Sequence, residues 1–422
     1  MRSIRRWWLV DGVGGAALAV VLAGCWPAPG AGPDRDAFNR FEGTLTAANV
    51  ASLTQLWAAP LDGPGFEPEH SPSGELVTGH GGVYVNDARA AYRFDAVSGA
   101  RDWKMDLPAF PDGQITGMGQ VLVAGDDVLV GYGSVGDWSG EGAGWGTRVL
   151  DPTTGVERGI TIPGGMPVAH RDDDLLVTAN QCTESVACTA TYFRVDVDTG
   201  FGSRGTIGPN LNSYAPPTLG SDRIYSTTFA LDPAPSSLVQ AHPPEGNPAT
   251  PLWVTNLHQF AGATAPVLSP GESTLYVGTS GAGEGHTMFA LDAATGAIEW
   301  STDVGHQITA SPALADGVLY VPTASGLVAM DDDGTIRWRS RSTGWISGQP
   351  AVAGGVVYTG AVDGTVRAFD TAGCAGSATC DDVWSATTGN PVISAPIVSG
   401  GRLYVVSATA NETGHVVAFG LP

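Results

Sequence analysis

The stretch Ser311-Pro-Ala-Leu-Ala-Asp-Gly-Val-Leu-Tyr-Val-Pro-Thr-Ala-Ser-Gly-Leu-Val-Ala-Met-Asp-Asp-Asp-Gly-Thr-Ile-Arg-Trp338 decides the fold. It holds four short apolar runs, each ended by turn chemistry. Ser311 to Ala315 opens with an X-Pro pair. Asp316-Gly317 makes a tight hairpin, because glycine takes a positive φ at no steric cost. Val318 to Thr323 is the second run, and Ser325-Gly326 turns the chain again. Leu327 to Met330 is the third, Asp331-Asp-Asp-Gly334 turns, and Thr335 to Trp338 is the fourth.

The same unit recurs on both sides. The second run is centred at Tyr84, Leu129, Leu176, Tyr225, Tyr276, Tyr320, Tyr358 and Tyr404, at intervals of 38 to 51 residues. A period near 46 built only of short β runs predicts an all-β, eight-bladed β-propeller of four-stranded antiparallel blades. An X-Pro opens the first strand at Pro72, Pro167, Pro216, Pro266, Pro312, Pro350 and Pro396; the second unit lacks it. A tryptophan closes the last strand at Trp103, Trp253, Trp300, Trp338 and Trp384. The third turn recurs as Asp95–Gly99, Asp151–Gly155, Asp196–Gly200 and Asp292–Gly296. Aspartate oxygens accept backbone N–H groups in such turns. The acidic runs at 172–174 and 331–333 are read the same way, not as metal or catalytic sites.

The last unit runs out of chain after three strands, at 396–399, 402–407 and 415–419. Its missing fourth strand is at the other terminus, in Leu53-Thr-Gln-Leu-Trp57, where Trp57 stands 46 residues before Trp103. The N-terminal strand is therefore expected to complete the last blade and remove a free sheet edge.

The first residues read as an address. Arg2, Arg5 and Arg6 precede a short apolar run, Val13 to Ala23, that ends in Leu22-Ala23-Gly24-Cys25. This is the shape of a secretory signal peptide, and the last four residues resemble the bacterial lipobox. That resemblance implies a lipid on Cys25, cleavage before it, and a protein held at the cell membrane on its extracytoplasmic side. The expected organisation is a lipoprotein signal peptide at 1–25, a flexible Pro/Gly/Ala-rich tether at 26–44, and a single propeller at 45–422. Four further cysteines form two C-x5-C pairs, Cys182/Cys188 and Cys374/Cys380, expected as local disulfides in an oxidising compartment. Zinc is the competing reading, but it asks for closer spacing and two further ligands.

Composition narrows the function classes. The 422 residues carry 42 acidic and 20 basic side chains, a net charge of −22, with Lys104 the single lysine. Nucleic-acid binding needs clustered Lys and Arg and is excluded. Charged residues are 15% and hydrophobic ones 43%, which excludes intrinsic disorder. The acidic field steers cations and disfavours anionic surfaces.

The run Thr287-Met-Phe-Ala-Leu-Asp-Ala-Ala-Thr-Gly-Ala-Ile-Glu-Trp300, with Leu319-Tyr-Val and Val357-Tyr-Thr, resembles the pyrroloquinoline-quinone (PQQ) type propeller repeat. The resemblance covers residues 45–422 and is weakest in the second to fourth units. One branch of that family is the PQQ-dependent alcohol and glucose dehydrogenases. The other is the lipid-anchored propeller of the outer-membrane barrel-assembly complex, a protein-binding scaffold. Length, lipobox and unit count resemble the second. The first implies a calcium ion on the quinone, an aspartate base, a tryptophan floor and usually adjacent cysteines; this chain has no Cys-Cys. No nucleophile elbow, zincin helix or phosphate loop is present either. The expectation is a monomeric, non-catalytic scaffold with an unidentified protein partner and no cofactor or metal; the alternative is a quinoprotein dehydrogenase or other propeller enzyme.

Strand alternation places the second–third and blade-to-blade connections at one end of the propeller. The long insertions Gly131–Thr147, Ala179–Thr191, Gly278–His286 and Ser407–Gly414 fall there, while the turns at the other end are near-uniform. Candidate binding residues are Trp138 and Trp145 in the first insertion, and His258, His306, Trp345 and Asn390 in blade-to-blade connections.

Overall fold

The computed structural model describes residues 26–422 apart from 65–74, 88, 108–119, 133–145, 164–165, 172–173, 183–187, 197–201, 210–214, 231–235, 244–249, 260–263, 280–285, 373, 375 and 410–412. Among the described residues, eight sheets follow one another along the chain, and the single helical turn is Val50–Ser52. No helix among them is long and apolar enough to cross a membrane. The quoted unit folds as read: Ala313–Ala315, Val318–Thr323, Gly326–Asp331 and Ile336–Ser340 pair antiparallel in chain order. We call each sheet a blade, numbered from the one that begins at Leu76–Gly79. The end carrying the first–second and third–fourth connections is the turn end; the other is the loop end.

The eighth blade closes as expected. Thr54–Pro64 pairs antiparallel with Thr413–Gly420, setting Thr54 opposite Gly420 and Trp57 opposite Ala418. Two blades depart from the four-stranded pattern by gaining a parallel fifth strand. Phe38–Asn39 lies along the inner strand of blade 7, and Thr379–Cys380 lies along the outer strand of blade 6.

Neighbouring blades are joined by a repeated contact. The indoles of three closing tryptophans donate to the third turn of the next blade. Trp103 Nε1 donates to the Pro152 carbonyl at 3.1 Å, Trp253 Nε1 to Ala293 at 3.1 Å and Trp300 Nε1 to Asp332 at 2.8 Å. The tyrosine of the second strand packs against the same indole, as in Tyr84–Trp103 at 6.0 Å and Tyr276–Trp300 at 6.1 Å between centroids. The turn glycine lies under the ring: a Cβ on Gly155 would come within 2.7 Å of Trp103. Trp57 occupies the same place against Gly99 and Tyr404, so the contact also runs from blade 8 to blade 1.

Two expectations at the ends need correction. The connection from Asp370 to Trp384 in blade 7 is a long insertion at the turn end, so those turns are not uniform. Arg339 N–H donates to Ala378 and Arg341 N–H to Cys380, laying this insertion along the edge of blade 6. At the loop end, Ala179–Thr191 is mostly strand: Asp174–Cys182 and Cys188–Asp196 pair along their length, with Cys182 opposite Cys188.

Candidate functional site

The expected tether at 26–44 is not a free linker: residues 26–39 pack inside the propeller, Trp26 being 2% exposed, and only Arg40, Phe41, Gly43 and Thr44 beyond them are exposed. The reason is backbone chemistry. The innermost strand of each blade is an edge whose N–H and C=O groups face the axis and need partners. The N-terminal segment supplies them blade by blade. Trp26 exchanges two backbone bonds with Thr78 of blade 1. The Pro27 carbonyl accepts from Val123 N–H of blade 2 at 2.8 Å, Pro33 from Leu219 of blade 4 at 3.0 Å and Asp34 from Leu268 of blade 5 at 3.0 Å. Asp36 accepts from Leu314 of blade 6 at 2.8 Å, and Ala37 from Val352 of blade 7 at 2.9 Å. Arg35 Nη2 donates to Val168 of blade 3, and Asn39 Nδ2 to Val398 of blade 8. All eight inner strands are met by fourteen consecutive residues, 26–39.

The composition that suggested a linker suits a strap. Prolines offer carbonyls without an N–H of their own to satisfy. Gly30 sits at φ +72°, where a Cβ would meet Arg35 at 3.0 Å, and its carbonyl accepts from Ala37 N–H. Gln349 of blade 7 donates to the Arg35 carbonyl at 2.7 Å and to Pro312 of blade 6 at 2.9 Å, pinning the strap to two blades.

The strap carries charge into the channel. Burial lowers the Arg35 guanidinium to about 10, an effect the Glu75 carboxylate opposes. Arg35 Nε also donates to the Pro217 carbonyl at 3.1 Å. Burial raises Glu75, which Arg35 opposes. Asp36 is pushed up to about 6, chiefly by burial and further by Asp34, although Arg40 pairs with it.

The loop end holds four of the proposed binding residues, one in each of four successive blade-to-blade connections. His258 is exposed at φ +53°, its N–H donating to Asn256 Oδ1 at 2.7 Å. His306 is exposed beside Gly305. Trp345 is 42% exposed and its carbonyl accepts from Val362 N–H, which sets it beside Val362, itself 47% exposed. The half-buried Asn390 is structural through its carbonyl, which accepts from Thr388 and Ser407 hydroxyls. No hydrogen bond among the described residues joins these four side chains, so they share an end without forming one constellation. Among the described residues no group of three His, Cys, Asp or Glu is placed to hold a metal.

Cys374 and Cys380 are disulfide-bonded, with Cα atoms 5.2 Å apart. Cys25, Trp138 and Trp145 lie outside the described residues. Reading the sequence missed the strap and Val362. The available signal was Trp26 with the Asp34-Arg35-Asp36 run, side chains that a solvated tether has no need of.

Residues 247–329 and 290–375 match the family model described as outer membrane protein assembly factor BamB. No curated protein matches the sequence. Among solved structures, a quinohemoprotein alcohol dehydrogenase from Comamonas testosteroni superposes with a TM-score of 0.70 at 16% identity, covering 97% of this chain and 82% of that one. BamB from Moraxella catarrhalis gives 0.56 at 15% identity, covering 87% and 99%. The computationally designed Ika8 protein gives 0.53 at 14% identity, covering 86% and 98%. The chain thus has the β-propeller fold, and the repeat-family match lies within residues 247–375.

Proposed function

We propose that this chain is an extracytoplasmic lipoprotein whose propeller is a non-catalytic scaffold, binding a protein partner through its loop end. The observation that carries this reading is the strap. Fourteen residues of the chain's own N-terminal segment take up the axial hydrogen-bonding groups of all eight inner strands and bring Arg35 and Asp36 into the channel. Binding is left to the rim, where Trp345 and Val362 offer adjacent apolar surface and where Trp138 and Trp145 belong by sequence. The match to a model described as an outer membrane protein assembly factor supports a role at the cell envelope. Cys25 supplies the membrane anchor in this reading, and Cys182 and Cys188 form a second disulfide.

The quinoprotein reading is favoured by the superposition on the Comamonas testosteroni enzyme. The described residues argue against its cofactor. Among the described residues no acidic cluster offers calcium a donor set. The strap carries two carboxylates, Asp34 and Asp36, and burial holds Asp36 partly protonated near neutral pH. Purified protein supplied with PQQ and Ca²⁺ should develop no quinone absorption band and no dye-linked oxidation of alcohols or sugars. A bound-quinone band with turnover would replace the scaffold reading by the enzymatic one. Changing Cys25 to Ala should release the protein from membranes with its Tm unchanged; retention on the membrane would remove the anchor.

A further inference from the structure

The geometry points to an orientation on the membrane: we infer that the turn end of the propeller rests on the lipid surface, held there without slack, and the loop end faces away. This rests on the lipid-anchor reading above. The first described residue, Trp26, is fixed in the wall of blade 1. Its bridge to Thr78 is antiparallel, and the strand Leu76–Gly79 runs from the loop end to the turn end. The chain therefore enters the channel from the turn end. The Cα of Cys25 lies only about 3.8 Å before that of Trp26, so an acyl-modified Cys25 has no tether. In this proposal the anchor, one peptide bond before Trp26, brings the lipid surface to the turn end.

A second observation is independent of the anchor. The exposed large apolar side chains concentrate at that same end. Phe41 follows the strap's exit and is 51% exposed. Val97 and Val156, both 64% exposed, stand at the third turns of blades 1 and 2. Leu252, 53% exposed, directly precedes the outer strand of blade 4, and Ile298, 46% exposed, begins that of blade 5. Among the described residues Trp345 and Val362 stand out at the loop end, and Val254, 49% exposed, lies along the outer strand of blade 4 between the two ends. Single exposed apolar residues are ordinary, but a set spread around one rim fits a flat surface rather than a compact partner.

Charge selects the lipid. Asp95, Asp151 and Asp292 accept from the hydroxyls and N–H groups of Ser98, Thr154 and Thr295, which lowers all three carboxyls and keeps the turn end anionic. A zwitterionic surface is accepted and a strongly anionic one repelled.

The test uses the full lipoprotein in phosphatidylcholine vesicles, with a benzophenone amino acid in place of Val97, Val156 or Val362, one at a time. Lipid adducts should form at Val97 and Val156 at least tenfold more than at Val362. The reverse order, or equal yields, overturns the orientation. Twenty Gly/Ser residues inserted between Cys25 and Trp26 add a reach of roughly 25 Å; the protein should then stay on the vesicles and lose its adducts. Adducts that persist contradict the seating without slack. The mass of the N-terminal peptide reads the anchor separately. An unmodified Cys25 removes the anchor and this orientation together, whereas a lipidated Cys25 with adducts at Val362 removes the orientation alone.

Discussion

Each closing tryptophan acts on the blade after its own, and the glycine beneath it is where that shows most sharply. Gly155 and Gly81 have nearly the same backbone, φ +68° and +70°. A methyl group on Gly155 strikes Trp103, while one on Gly81 meets nothing within 4 Å. Gly81→Ala should therefore cost about 1 kcal/mol, the left-handed backbone penalty alone. Gly155→Ala should cost about 2–4 kcal/mol, because the indole must also move. Equal losses in chemical denaturation would deny the dock.

Asp36 sets a second test at this scale. Its folded pKa, about 6, lies above the ordinary aspartate value of 3.8. Its contribution to stability is complete below about pH 4 and is lost as pH rises through 6. The turn carboxylates Asp95, Asp151 and Asp292 are lowered, so their contribution is present above the ordinary range and is lost on acidification below it. Tm should accordingly fall between pH 5 and 7.5, and fall less in Asp36→Asn. Asparagine keeps an acceptor for the Phe38 N–H and gives up only an ion pair with a half-exposed Arg40. Since global charge changes alike in both proteins, parallel pH curves would contradict this role for Asp36.

Among the elements, the strands were legible and the strap was not. Alternating turns and aromatic centres mark a strand locally, so the quoted unit could be read strand by strand. The strap has no period. Its fit depends on eight inner strands that come together only in the ring, and its Pro/Gly/Ala content is also that of a solvated linker. The site divided along the same line. His258, His306 and Trp345 are exposed at the loop end as read, but nothing in their spacing shows that Val362 lies beside Trp345. Truncation tests the strap as an element. A chain starting at residue 26 should melt highest and one starting at 40 lower, since the latter loses Trp26, whose burial contributes on the order of 3–5 kcal/mol. One starting at 58 should melt lowest, having also lost Trp57 and the start of the strand that closes blade 8. Equal melting of the first two would return residues 26–39 to the status of a tether.

At the scale of the molecule, the ring is closed twice. Thr54–Pro64 closes it at the outer edge of blade 8, and the strap closes it along the axis. The first closure could be read from Trp57 standing in register with Trp103. The second could not, because a carbonyl leaves no mark in the sequence. Together they define a propeller with its centre taken by its own chain. Hydrogen exchange of the intact protein, followed by mass spectrometry on peptides spanning 217–220, 266–269, 312–316 and 350–354, examines that centre directly. Leu219, Leu268, Leu314 and Val352 should exchange as slowly as amides in the middle strands, since each donates to the strap. Exchange within seconds at these four, as at open strand edges, would mean that the channel is not strapped and that the scaffold reading has lost its main support.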